Sequence, residues 1–157
     1  MVKAETPYSE GDVFVVPLLG EKMAVGLVVR MSGDGSVFGY FFDIGVKNEN
    51  EITDKKLAEL APKSAVLTCM FGDHALYKKK WKVLRKFPNW DADEWRLPRF
   101  YRIIDSESMG YVSEYSDTLK FIGEKKVNVE SIKKLNLPKD SQLGSGVVEA
   151  RLSKLLN

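Results

Sequence analysis

Gly11-Asp12-Val13-Phe14-Val15-Val16-Pro17-Leu18, followed after the break Leu19-Gly20-Glu21-Lys22 by the β-branched, apolar run Met23 to Met31, decides the fold. The first run reads as a turn opening into a strand, with Pro17 tolerable only at an edge or strand end. A short polar break carrying one glycine joins it to the second run as a hairpin. Ser32-Gly33-Asp34-Gly35-Ser36 then supplies the positive φ that a tight turn needs, and Val37 to Ile44 follows as a third strand. Three sequential antiparallel strands form a meander. Nearly every position in them is apolar, so the sheet is expected to curl and bury both faces, as a small SH3-like or barrel-like sheet does. Gly26 and Gly39 are expected to mark a bend or bulge.

Outward from this centre, Asn48 to Pro62 carries helix signals. Thr53 caps, Asp54 suits the positive end, Leu57, Leu60 and Ala61 share a face, and Pro62 stops the run. Ser64 to Gly72 reads as a fourth strand and Gly72-Asp73 as a turn, with a further strand around Trp81 to Leu84. Phe87 to Pro98, with two prolines and three carboxylates, reads as a long ordered loop. Phe100 to Asp105, Tyr111 to Tyr115 and Leu119 to Ile122 are strand candidates separated by Ser106, Gly110 and Asp117. Val129 to Leu135 predicts a short helix. Ser145 to Leu156 predicts a longer one whose Val148, Leu152, Leu155 and Leu156 form a stripe that must dock, sealing one open end of the sheet. The fold class expected is mainly β, a β-rich α+β arrangement with two or three helices.

The 157 residues fit one domain, 1–157, with no repeat, low-complexity tract or linker. At 44% hydrophobic and 29% charged residues, the composition excludes a disordered chain. A formal charge of +2 is too small for nonspecific nucleic-acid binding by the whole surface. The single cysteine, Cys69, permits no internal disulfide. The sequence opens without a basic and apolar leader and holds no membrane-length apolar run, so a cytoplasmic location is expected.

Chemistry finds little purchase. His74 is the only histidine, leaving Cys69 with His74 as the one nucleophile pair, and offsets of five in a strand set them on opposite faces. Cys69, inside an apolar run, is expected to be buried. Carboxylate pairs occur at Glu49 with Glu51, at Asp91 with Asp93 and Glu94, and at Asp105 with Glu107, all in polar loop stretches that favour solvated charge over acid–base work. Gly33-Asp34-Gly35 and Gly144-Ser145-Gly146 lack the partners of a phosphate loop and read as a turn and a helix start. No catalytic residue, metal or cofactor is expected.

Residues 78 to 102 stand out. Nine Lys and Arg against Asp91, Asp93 and Glu94 give this stretch +6, leaving −4 for the remainder, and Trp81, Trp90 and Trp95 all fall within it. Cations interleaved with rings suit single-stranded nucleic acid or a protein interface. They also suit rings packing the loop down beneath lysine stems. Trp90, Trp95, Arg96 and Arg99 are the candidate contacts. An acidic stretch with Asp43, Glu49, Glu51 and Asp54 is the substitute docking face for a basic partner.

The order of Gly11 to Leu18, Ala24-Val25-Gly26-Leu27-Val28, Trp81-Lys82-Val83-Leu84 followed by Pro88, Leu97-Pro98-Arg99-Phe100 and Val147 to Leu152 resembles the immunity protein 26 family of bacterial polymorphic-toxin systems. Arg85 stands where the family's usual form has a glycine. The resemblance implies a mostly β, non-enzymatic protein that binds a cognate toxin and neutralises it by occluding its active site or substrate groove. The alternative is a small-barrel nucleic-acid-binding protein using residues 78–102. Either a monomer or a homodimer, without membrane contact, is compatible with the sequence.

Overall fold

The computed structural model describes residues 6–104 and 108–156. Asp105, Ser106 and Glu107, and with them the Asp105 and Glu107 pair, lie outside the described residues. The chain runs β1 (Asp12–Pro17), β2 (Met23–Met31), β3 (Ser36–Phe42), a 3-10 turn (Glu49–Glu51), α1 (Asp54–Ala58), β4 (Leu67–Gly72), α2 (His74–Tyr77) and β5 (Lys82–Lys86). It continues through β6 (Phe100–Ile103), β7 (Met109–Tyr115), β8 (Phe121–Asn128), α3 (Val129–Leu135), β9 (Gln142–Leu143) and α4 (Ser145–Leu155).

β1 to β3 form the expected antiparallel meander, and β4, β5 and β9 extend it to six strands in the order β5-β1-β2-β3-β4-β9. The sheet stays open, with β5 and β9 as its edges, and no closed barrel forms among the described residues. The Asp34-Gly35 turn closes as read: the Ser32 N–H donates to the Ser36 carbonyl at 3.0 Å, and Gly35 sits at φ +111°.

Alternation along these apolar strands sorts their side chains into two cores, one on each face. Val13, Val15, Val25, Leu27, Val29, Phe38, Tyr40 and Phe42 point one way, towards Ile52, Leu57, Phe87, Trp95 and Phe100. Phe14, Val16, Val28, Val37, Phe41, Cys69 and Phe71 point the other way, towards Leu76, Trp81, Val148 and Leu152. A strand apolar at every position is therefore what this sheet requires. Residues Val148 and Leu152 of α4 dock on the sheet's second face against β4, so this helix covers a face instead of sealing an end.

The two strand glycines work differently from the expected bend. A Cβ on Gly26 would lie 2.2 Å from the Phe14 ring, and one on Gly39 would lie 2.8 Å from the Phe71 ring. Their missing side chains make room for rings. The register shifts fall elsewhere, between Val28 and Arg30 and between Val13 and Phe14.

A second sheet, ordered β6-β7-β8, packs on the first face. The Phe100 ring meets Phe38 edge-on at 5.5 Å and Tyr115 at 5.4 Å. β8 runs to Asn128, well beyond the expected Ile122, because a strand with one partner needs no apolar alternation on its wet side. The helix expected within 48–62 is reduced to the Glu49–Glu51 turn and α1. Thr53 caps α1 as read, its Oγ1 accepting from the Lys56 N–H at 3.2 Å.

Candidate binding surface

The long loop from Phe87 to Arg99 crosses the junction of the two sheets, and the core holds it from below. The Phe87 N–H donates to the Gly11 carbonyl at 2.7 Å. Trp95 is only 2% exposed and meets the rings of Tyr40, Phe87 and Phe42 edge-on at 5.3, 5.3 and 5.9 Å. The Tyr40 hydroxyl, whose pKa burial raises, donates to the Arg96 carbonyl at 2.9 Å. Asp91 turns the chain by accepting from the Asp93 N–H at 3.0 Å. Edge-on ring pairs of this kind add to burial and fix orientation. A loop held this way presents its outward side chains at little further entropic cost.

Four loop residues were candidate contacts, and the structure separates them. Trp95 is a core residue with no face for a partner. Trp90 is half-buried over Gly11, where a Cβ would lie 2.7 Å from its ring. Arg96 and Arg99 are exposed and make no ion pair among the described residues. Arg96 lines an open groove of about 560 Å³ with Arg30, Asp93, Tyr115 and Asp117. Arg99 lines another of about 310 Å³ over Val112, Gly123 and Lys125.

The acidic candidates make contacts within the molecule, and Asp43, Glu51 and Asp54 stay exposed. Glu49 meets Lys82 Nζ at 2.7 Å and Asp54 meets Arg85 Nε at 2.8 Å. Glu51 accepts from the Lys47 backbone N–H at 2.8 Å, which holds its carboxyl below the usual range. Asp43 accepts from the Gly45 N–H at 3.0 Å. Two of the four acidic candidates, Glu49 and Asp54, are thus joined to the basic stretch. Arg85, in the middle of β5, is what anchors the acidic segment, its guanidinium also donating to the Ile52 carbonyl.

Trp81 is fully buried and stacked on Phe14 at 5.7 Å, on the opposite side of the sheet from Trp95. Two of the three tryptophans therefore lie in separate cores and offer no platform to a base. Cys69 is buried, and burial pushes its thiol up to about 12, so it holds no thiolate at neutral pH. His74 is exposed at the start of α2. Among the described residues no group of three or more His, Cys, Asp or Glu is placed to hold a metal ion, and no helix is long and apolar enough to cross a membrane.

One buried charge escaped the sequence reading. Arg30, 7% exposed, sits in β2 at the mouth of the larger groove. Its guanidinium donates to the carbonyls of Val29 at 2.7 Å and Ala92 at 3.2 Å, and pairs with the exposed Asp117 at 3.1 Å. It ties together the first sheet, the long loop and the β7–β8 turn. The signal was present: an arginine inside an otherwise apolar strand must be paired.

A family model described as Immunity protein 26 matches residues 9–110, more than half of the chain. No curated protein and no solved structure matches.

Proposed function

The chain belongs to the immunity protein 26 family, and from that premise we propose that it is a non-enzymatic, single-domain protein that binds a cognate bacterial toxin in the cytoplasm. It neutralises that toxin by covering its active site or substrate groove. The loop from Phe87 to Arg99 supplies the contact, with Trp90, Arg96 and Arg99 outermost. The observation that carries the reading is the contrast within this loop: Trp95 is locked in the core while Arg96, next to it, is exposed and unpaired. Interfaces concentrate their energy in arginines and aromatic rings held in place before contact.

Co-expression with the toxin encoded beside its gene tests this. The intact protein should restore growth and co-purify with the toxin. The double substitution Arg96→Glu with Arg99→Glu should weaken binding by about tenfold or more while leaving the melting temperature in place. Neither binding nor protection by the intact protein would overturn the reading.

A further inference from the structure

Among the described residues the two sheets end on four edge strands, β5, β9, β6 and β8. β5 has five residues, with its Lys82 and Arg85 side chains paired to the 49–54 segment, and β9 has two residues. The outer side of β6 is covered by residues 138–140, where the Tyr101 N–H donates to the Pro138 carbonyl at 3.0 Å and its carbonyl accepts from Asp140 at 2.7 Å. β8 is the longest of the four at eight residues, and among the described residues β7 is its only strand neighbour.

The register shows which backbone groups of β8 face outward. In an antiparallel pair, alternate residues exchange both hydrogen bonds with the partner, and those between them turn their N–H and C=O away. The Val129 N–H donates to Ser108 at 3.0 Å, so this pair and, two residues on each time, Gly110 with Val127, Val112 with Lys125 and Glu114 with Gly123 are the bonded ones. The Ile104 N–H donating to Met109 gives the same phase from the other side of β7. Ser113 with Glu124 is therefore a non-bonded pair across β7 and β8. The backbone of Glu124 points to the open edge.

Two further features mark this edge. Phe121 and Ile122, at its start, are 58% and 64% exposed. Charge follows along it: Lys125 of β8 and Lys133 and Lys134 of α3 are exposed and unpaired among the described residues, with Glu114, Glu124 and Glu130 as the exposed carboxylates near them. Glu124 is taken up by Arg102 at 3.0 Å. Lysines on an edge discourage pairing with neutral or basic strands, and they favour an acidic one.

We infer that β8 receives an extended, acidic segment of the toxin as a fourth strand of the second sheet. Main-chain hydrogen bonds to the outward groups of β8 give the pairing, Phe121 and Ile122 give apolar contact, and the lysines select for carboxylates. This rests on the reading of the chain as a toxin-binding protein. It adds a second contact, apart from the Phe87–Arg99 loop.

The test measures binding of the full chain to the toxin encoded beside its gene, with amide exchange read residue by residue. Glu124→Pro removes one outward donor and leaves the β7 ladder intact, since proline is tolerated where an edge N–H faces solvent. Glu124→Ala loses the Arg102 pair but keeps the donor. Lys125→Glu with Lys134→Glu reverses the charge without touching the backbone. Binding should fall tenfold or more for Glu124→Pro and for the charge reversal and stay near the intact value for Glu124→Ala. The Glu124 amide should become protected when toxin is added. Failure of the intact protein to bind would overturn both readings. Binding that survives both β8 variants, or that Glu124→Ala weakens as much as Glu124→Pro, would overturn strand addition alone. So would a dimer in sedimentation that Glu124→Pro dissolves, or a salt-sensitive complex with single-stranded oligonucleotide that the charge reversal abolishes.

Discussion

The six-stranded sheet is apolar on both faces and β2 is buried over seven consecutive residues, whereas in the three-stranded sheet β8 has six exposed residues out of eight. The same alternation rule produces both outcomes. Where each face meets a layer, through α4 and Trp81 on one side and the long loop and second sheet on the other, the strand must be apolar throughout. Where a strand lies outermost, only the residues facing its neighbours are constrained. On the proposed reading the difference divides the labour: the first sheet supplies stability, and the junction and the second sheet supply recognition.

The largest effect expected from breaking that division is at Trp81. Trp81→Ala removes the stack on Phe14 and the contacts with Phe41 and Phe71, and should cost about 3–5 kcal/mol in urea unfolding. Trp81→Phe should cost clearly less. It keeps an aromatic ring and removes an indole N–H that is buried without a hydrogen-bond partner. Equal losses for the two would show that the stack is not the stabilising element.

Alkaline pH separates the two sheets next. Burial raises the Cys69 thiol from 9.0 to about 12 in the first sheet, and burial with a hydrogen bond to Asp140 raises the Tyr115 hydroxyl from 10.0 to about 12 in the second. Both groups are neutral when protonated, so their unfolded forms lose protons first. Stability is fully present below pH 9 and falls as pH climbs towards 12. One unmatched proton costs about 1.4 kcal/mol per pH unit. Urea midpoints at pH 8, 9.5 and 11 should decline, and Cys69→Ala should flatten the first part of the fall. An unchanged slope in that variant would remove the thiol from the account.

A smaller effect is expected where the acidic and basic stretches meet. The Arg85 and Asp54 pair is largely exposed, with Asp54 72% accessible, so Asp54→Asn should cost about 0.2–1 kcal/mol and less in high salt. A loss several times larger, measured by thermal unfolding, would mean that the 49–54 segment is part of the first sheet's stability.

The meander was legible because its turn chemistry and its unbroken apolar runs are local. The Asp34-Gly35 turn sets the second hairpin, and Val13 to Phe42 declare two buried faces before any contact is known. β8 was only half legible, because Gly123-Glu124-Lys125-Lys126 has the composition of a loop and is a strand only through its pairing with β7. The site was legible as a segment and not as a surface. Lys82 with Glu49 and Arg85 with Asp54 are each more than thirty positions apart, so nothing local shows that the two charged stretches meet. Trp90 and Trp95, five positions apart in one loop, carry the same sequence signal, and only the tertiary packing of Tyr40, Phe42 and Phe87 makes one of them core.

The smallest expected effect is the one that tests the division most directly. Ile122 is 64% exposed and falls at the irregularity between the Glu114–Gly123 and Tyr115–Phe121 pairs, where it has no partner on β7. Mostly exposed and without a partner on β7, it should tolerate Ile122→Ser with a change in unfolding free energy within about 0.5 kcal/mol. Phe121→Ser should cost slightly more, since the Phe121 ring meets Tyr115 at 5.9 Å. If Ile122 and Phe121 form the apolar part of the proposed contact, the same Ile122→Ser chain should bind the toxin several-fold more weakly. Stability lost together with binding would place Ile122 in the core's account and erase the contrast between the two sheets; binding lost alone would locate recognition on the strand that stability does not need.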